Sequence, residues 1–262
     1  MPIELAYGSD RIAVELPPAD TTVITPRYNP GLADEEAAFR EALGAPIGCP
    51  PLREIIAPSN RVVIVFSDIT RPVPNERILP WLLEELAYLP RENITLLVAT
   101  GTHRLNTRED LVQMVGEEIV ANYRIVNHDC NDESSLTYLG QSSYGSSIWL
   151  NSLYLAADRK ILTGFIEPHL FAGFSGGPKA VLPGVAGLQT IMHNHSGRML
   201  SHPQATWGVL RGNPAYEEIL EVARLAPPTF IVNVTTNRER AITRVFCGEM
   251  EAAHAAGVEA CR

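Results

Sequence analysis

The sequence has little that would place it outside the cell, in a membrane or on nucleic acid. Positive charge is in deficit: 21 Lys and Arg face 30 Asp and Glu, a formal charge of −9. That excludes nucleic acid as the main partner and leaves room only for a local basic pocket that holds a small anion. Cysteine is sparse and unpaired in sequence. Cys49, Cys130, Cys247 and Cys261 form no Cys-x-x-Cys pair, which excludes a zinc ribbon or a disulfide framework and fits a reducing, cytoplasmic compartment. No stretch approaches the roughly 18 apolar residues of a membrane span. The first ten residues, MPIELAYGSD, show no basic segment followed by an apolar run, so no signal peptide is expected. Internal repeats, low-complexity tracts and long linkers are also missing. What remains is a 262-residue chain with 45% hydrophobic and 19% charged residues. That is long enough to bury a sizeable core without a disulfide or metal to hold it.

The pattern along the chain is that of an α/β protein. IELAYG and RIAVELP alternate and predict a hairpin about Gly8-Ser9-Asp10. Asp34 to Leu43 reads as an acidic amphipathic helix stopped at Gly44, followed by a turn-rich patch from Gly44 to Leu52. Arg61–Ser67 is a β-branched run, the mark of a buried strand. Glu76–Leu89 puts Ile78, Leu79, Leu82, Leu83 and Leu86 on one helical face. Ile94–Ala99 is the next buried strand. Thr107 to Asp110 forms a capping box for a helix to Val115, and Tyr123–Asn127 is a third strand. Short strands are expected at Leu136–Leu139 and Ser147–Leu150, and a further one at Lys160–Phe165. Pro214–Leu225 and Met250–Cys261 read as helices, with strands at Phe230–Thr235 and Ile242–Cys247 between them. Strand and helix alternating at this spacing predict a mostly parallel sheet with helices on both faces, in a single large domain.

Chemistry-bearing residues fall just past strand ends, where an open α/β sheet places its site. Ser67-Asp68-Ile69-Thr70-Arg71-Pro72 follows the first central strand, and Asp with Arg there can grip an anion or pair with each other. Thr100-Gly101-Thr102-His103-Arg104 follows the next strand. The densest stretch is Gly164–Leu200, which carries His169, His193, His195, Lys179 and a run of glycines. Gly173-x-Ser175-x-Gly177 matches the nucleophile-elbow pattern of serine hydrolases, but Ser175 lies several residues past its strand and no Asp follows it in the chain. The P-loop pattern fails too, because Pro178 and Ala180 occupy positions that need Gly and Ser or Thr. A glycine-rich loop whose backbone N–H groups can approach an anion survives, with Lys179 beside it as counter-ion, covalent anchor or plain surface lysine. A non-catalytic anion- or nucleotide-binding domain is therefore one reading. His193 and His195 are two apart on a helix expected from Leu188, so at most one of them faces the loop. Phe171 and Phe174 either shape a pocket or pack in the core.

SDITRP (Ser67–Pro72), TGTHR (Thr100–Arg104), IEPHLFAGFSGGPKAVLPG (Ile166–Gly184) and the downstream His195 resemble the nickel-dependent lactate racemase family, specifically its N-terminal domain. The resemblance extends over most of the chain. It implies that residues 1–262 are that domain and that the family's C-terminal domain is absent from the chain. It implies racemisation or epimerisation of a 2-hydroxy acid by a nickel pincer nucleotide. That cofactor would be tethered at Lys179 through a thioamide and its nickel ligated by His195. His103 and His169 would be the alternating acid and base, with Asp68 and Arg71 lining the pocket and Arg71 gripping the substrate carboxylate. Thr70, Ser175, Gly176 and Gly177 would lie on the cofactor side. Cofactor-biosynthesis proteins are implied as partners. Ni(II) accepts imidazole and a square-planar donor set.

Overall fold

This computed structural model describes residues 2–7, 10–25 and 27–262. Twelve strands run in chain order: β1 (Pro2–Tyr7), β2 (Asp10–Glu15), β3 (Val62–Ser67), β4 (Ile94–Ala99), β5 (Arg124–Asn127), β6 (Leu136–Gln141), β7 (Ser147–Asn151), β8 (Arg159–Phe165), β9 (Pro168–His169), β10 (Gly173–Phe174), β11 (Phe230–Thr236) and β12 (Ile242–Gly248). The helices are α1 (Glu35–Gly44), α2 (Leu52–Ile55), α3 (Asn75–Glu85), α4 (Arg108–Val115), α5 (Glu117–Asn122), α6 (Ser152–Ala156), α7 (Leu188–Asn194), α8 (Gly197–Leu200), α9 (Pro214–Leu225) and α10 (Met250–Cys261). No helix among the described residues is long and apolar enough to cross a membrane.

Six strands form the central sheet in the order β12-β11-β8-β3-β4-β5. β11, β8, β3, β4 and β5 are parallel, and only β12 runs antiparallel, at the edge. The alternation of β3 explains how the core divides. Val62, Ile64 and Phe66 point to one face, where they meet Phe39 of α1, Leu52 of α2, the α3 residues Ile78, Leu79 and Leu82, and Ile119 of α5. Val63 and Val65 point to the other, against Tyr154 of α6, Ile191 of α7, Ile219 and Val222 of α9, and Ala253 of α10. A strand covered on both faces needs apolar residues at every position, which is what VVIVF supplies. The mostly parallel sheet with helices on both faces is thus the architecture the sequence implied.

Some elements differ from their expected form. The predicted helix to Leu89 stops at Glu85. Ala87 N–H bonds Glu84 O at 3.1 Å and Leu89 N–H bonds Leu86 O at 2.9 Å, so the chain tightens into short turns before Pro90, as expected ahead of a residue that disfavours helix. β6 and β7 pair with each other outside the central sheet, and Leu150 of β7 makes one further bridge to Ala186. Short helices α2, α5 and α6 occupy stretches read as turns or left unassigned. The N-terminal hairpin pairs Pro2–Tyr7 with Asp10–Glu15, and the expected turn residues Gly8 and Ser9 lie outside the described residues.

Candidate active site

The parallel strands β3, β4 and β8 end on the same edge of the sheet, and their three loops enclose a cavity of about 320 Å³. That is a usual size for a small-molecule site, at the usual place in an open α/β sheet. Asp68, Arg71, His103, His169, Ser175, Gly176, Lys179 and His195 all line it. Thr70 stands one step back, its hydroxyl 3.1 Å from His103 Nδ1, and Gly177 sits behind the wall.

The β3 loop is built around Asp68, which is 2% exposed. Its Oδ1 accepts the Thr70 N–H at 2.9 Å and its Oδ2 lies 2.9 Å from His103 Nδ1. Of the two roles open to Asp68 and Arg71, no ion pair between them is present among the described residues: Asp68 directs its oxygens to Thr70 and His103, and Arg71 lines the cavity. Asn106 Oδ1 takes the Ile69 N–H at 3.1 Å, and Asn127, at the end of β5, holds Asn106 in turn. The neighbouring strand end thus fixes the loop that carries Asp68.

The β8 loop folds back on itself. β9 and β10 pair His169 with Gly173, and Ser175 closes the turn. The Ser175 hydroxyl donates to Phe165 O at 3.0 Å and accepts the Glu167 N–H at 2.9 Å. With its proton held by a carbonyl and no imidazole on Oγ, Ser175 is a brace and not an activated nucleophile. The nearby His254 bonds the Ser175 carbonyl, at 2.9 Å, not the hydroxyl.

Gly176 and Gly177 have φ of +77° and +51°, a region costly for other residues. They turn the chain into a short 3-10 segment, Gly177–Ala180, that delivers Lys179 to the cavity. Gly177 N–H donates to Asn233 Oδ1 at 2.7 Å. Asn233 and His254, from β11 and α10, thus set this loop from behind. Sequence reasoning missed both; an Asn inside the apolar strand FIVNVTT was the available signal, because a buried amide needs partners.

Phe171 organises the remaining groups. Its ring stands edge-on to His169 at 4.7 Å and to His195 at 4.9 Å, and the Lys179 ammonium lies 5.4 Å from its centroid. Phe174, by contrast, is core: it packs with Ile166, Phe246 and Val258. α7 ends at Asn194, and His195 caps it through its N–H to Ile191 O at 2.9 Å. His193 faces away, its Nδ1 3.2 Å from Glu218 Oε1. His202 is exposed beyond α8, and its ring Nδ1 accepts the Gln204 N–H at 3.2 Å. One histidine of the 193–195 pair therefore reaches the cavity.

The electrostatics favour neutral bases. Protein surrounds the Lys179 ammonium, which meets solvent only through the cavity, and burial lowers its pKa to about 7, with Arg71 adding repulsion. Burial also lowers His169 to about 3, helped by Lys179, Arg71 and His195, and lowers His195 to about 4, helped by Lys179. At neutral pH the site therefore offers His169 and His195 as neutral imidazoles and Lys179 as an amine that is half free base.

Comparison with known proteins gives the family and the fold. The family model described as the lactate racemase N-terminal domain matches residues 7–208. A lactate racemase of Lactiplantibacillus plantarum is 43% identical over 233 residues, covering 88% of this chain and 55% of that protein. One from Thermoanaerobacterium thermosaccharolyticum is 36% identical over 262 residues, covering 98% of this chain and 61% of that protein. The structure of the latter's apoprotein superimposes with a TM-score of 0.86 over 99% of this chain and 61% of its own. A Thermotoga maritima protein at 22% identity and TM-score 0.73, over 86% of this chain and 58% of its own, shares the fold. The chain spans a little over half the length of these relatives, and it belongs to the lactate racemase N-terminal domain family.

Proposed function

We propose that this chain is the catalytic N-terminal part of a cytoplasmic racemase or epimerase of a 2-hydroxy acid, lactate or a related acid. A nickel pincer nucleotide would be held at Lys179 and His195. The observation that carries the reading is one cavity in which a half-neutral lysine, a neutral histidine, a cation and two further imidazole or carboxylate groups converge.

The residues fit such a group. Lys179 has the low pKa that a covalent anchor needs, because only the free amine is nucleophilic. His195 Nδ1 is buried with no hydrogen-bond partner among the described residues. A neutral imidazole with an unspent nitrogen is a good ligand for a borderline metal such as nickel. Among the described residues no group of three or more His, Cys, Asp and Glu side chains is placed to hold a metal ion. A metal here would therefore take most of its donors from the organic group.

Arg71 is the cation at the mouth and would bind the substrate carboxylate. His103, oriented by Asp68, would take the hydroxyl proton. When bound, the nickel pincer nucleotide would supply an acceptor for the α-hydrogen with its electron pair. His103 and His169 would handle the proton at the substrate oxygen, and Phe171 would exclude water beside them. Cofactor-biosynthesis proteins are the partners that would load the site.

The test is turnover of one enantiomer of lactate in D2O by protein produced with the cofactor-biosynthesis proteins. The expected result is an equal mixture of enantiomers with no solvent deuterium at Cα. Deuterium entering Cα would mean proton abstraction and would overturn the hydride route.

A further inference from the structure

We infer that, in the chain without its cofactor, Lys179 captures the carbonyl of a 2-oxo acid as a reversible imine, with Arg71 holding the acid's carboxylate. The capture rests on the cavity alone; its bearing on cofactor loading rests on the racemase reading.

The amine has no structural partner. The Gly176-Gly177 turn delivers Lys179 to the cavity wall, yet its ammonium makes no hydrogen bond or ion pair among the described residues. Beside it stand the Phe171 ring, at 5.4 Å, and Arg71, which repels it. Two acids line the cavity, Asp68 and Glu167, and neither forms an ion pair with Lys179. Asp68 directs its oxygens to Thr70 and His103. Lys160 gives the contrast, because its ammonium donates to Ala157 O at 3.1 Å. A buried amine with no acceptor and a like charge nearby gives up its proton readily, and the free base is the nucleophile. The pKa of about 7 agrees with this.

The surroundings select the carbonyl compound. A 2-oxo acid carries its carbonyl next to its carboxylate, so one short molecule can engage a guanidinium and an amine that line the same cavity. Arg71 suits the carboxylate, because a guanidinium binds it through two parallel hydrogen bonds. A plain ketone lacks that hold, and a 2-hydroxy acid has no carbonyl to attack. Phe165 and Phe171 make part of the lining apolar, which keeps water from the imine once it has formed.

In the capture, Nζ adds its lone pair to C2 and the C=O pair moves to oxygen. One N–H proton passes to that oxygen and gives the carbinolamine. His103 lines the same cavity, with Nδ1 2.9 Å from Asp68 Oδ2, and can carry this proton. The C–O bond then breaks, and the hydroxyl leaves as water with the second N–H proton as the N=C bond forms. The sum is amine plus ketone giving imine plus water, with no oxidant or reductant. Under the racemase reading the same amine anchors the nickel group, and the 2-oxo acid is the oxidised form of the substrate. A captured acid therefore blocks the anchor until hydrolysis frees it.

The test uses the chain produced without the cofactor-biosynthesis proteins. It is incubated at pH 7 with pyruvate or acetone and sodium cyanoborohydride, which reduces an imine to a stable amine. Peptide mass spectrometry reads the added group at each amine. Pyruvate should label Lys179 about tenfold or more faster than Lys160, and the pyruvate-to-acetone ratio should be about tenfold or more higher at Lys179 than at Lys160, as expected for hydrogen bonds to a charged group. Lys160 cancels the intrinsic difference between the two ketones. In Arg71→Gln the ratios at the two lysines should become equal, and this comparison also cancels any change in the Lys179 amine itself. Labelling of Lys179 no faster than of Lys160, or equal ratios at the two lysines in wild-type protein, overturns the proposal. If Arg71→Gln does not fold, the wild-type ratios decide. No cofactor enters this experiment, so its failure is separate from failure of the racemase reading, which loaded protein tests.

Discussion

Lys179 should react with small acylating reagents at neutral pH in a way no ordinary lysine does. Its pKa of about 7, against an ordinary lysine value of 10.5, leaves about half the amine free at pH 7. An ordinary lysine has roughly one part in 3,000 free. Lower basicity makes each free amine a somewhat weaker nucleophile, so the net advantage is on the order of several hundredfold. Lys160, the only other lysine in the sequence, is an internal comparator; it also has a lowered pKa, through burial, and its ammonium donates to Ala157 O at 3.1 Å. The assay is pulse acetylation with limiting acetic anhydride from pH 5.5 to 10, read by peptide mass spectrometry. The Lys179 rate should rise and level off with a midpoint near 7, and Arg71→Gln should move that midpoint upward, since Arg71 repels the ammonium. A midpoint near 10 would refute the reasoning. The same shift carries a stability cost. The unfolded chain binds the Lys179 proton more tightly than the fold does, so the cost is complete below pH 7 and disappears above pH 10.5. After allowance for water reaching the amine through the cavity, Lys179→Met should stabilise the fold at pH 7 by about 2–3 kcal/mol, and by nothing near pH 11.

Asp68→Asn should fold normally but lower kcat for racemisation by roughly 10³–10⁴, with KM little changed, because His103 loses the acceptor that fixes its tautomer; initial-rate kinetics on loaded protein check this. Gly177→Ala should destabilise the protein by about 1–3 kcal/mol in urea, because the position has φ +51° and a Cβ there would come within 2.7 Å of the His254 ring. Wild-type protein should not be labelled by a fluorophosphonate. Ser175→Ala should lower stability by about 1–3 kcal/mol in thermal melts, because the hydroxyl bonds both Phe165 O and Glu167 N.

The strands of the sheet were legible because burial on both faces writes itself as continuous β-branched runs, as in Val62–Phe66. α9 and α10 were legible from Pro214 and from the apolar spacing of their faces. The short α2, α5 and α6 were not, because four to six residues give no period to read. The partnership of β6 with β7 outside the central sheet, and the antiparallel edge strand β12, are set by tertiary pairing, which local pattern does not encode. In the site, residues close to the motifs stood out by type and position. The groups that hold them did not: Asn233 bonds Gly177 from 56 residues away and His254 bonds Ser175 from 79. Glu218 is another. It lies on the buried face of α9, where it accepts from Ser142 at 2.7 Å and Asn194 at 2.9 Å. A carboxylate among Ala215, Ile219 and Val222 was a readable sign of a buried polar network.

The claim that Lys179 and His195 together hold a nickel-bearing organic group is tested most directly by intact mass and metal analysis. The protein is produced with and without the cofactor-biosynthesis proteins. The account predicts a mass adduct on Lys179 with stoichiometric nickel only in the co-produced protein. Lys179→Ala should abolish the adduct, and His195→Ala should keep the adduct but weaken nickel retention. An unmodified mass without nickel in the co-produced protein, or an adduct that persists in Lys179→Ala, would contradict it.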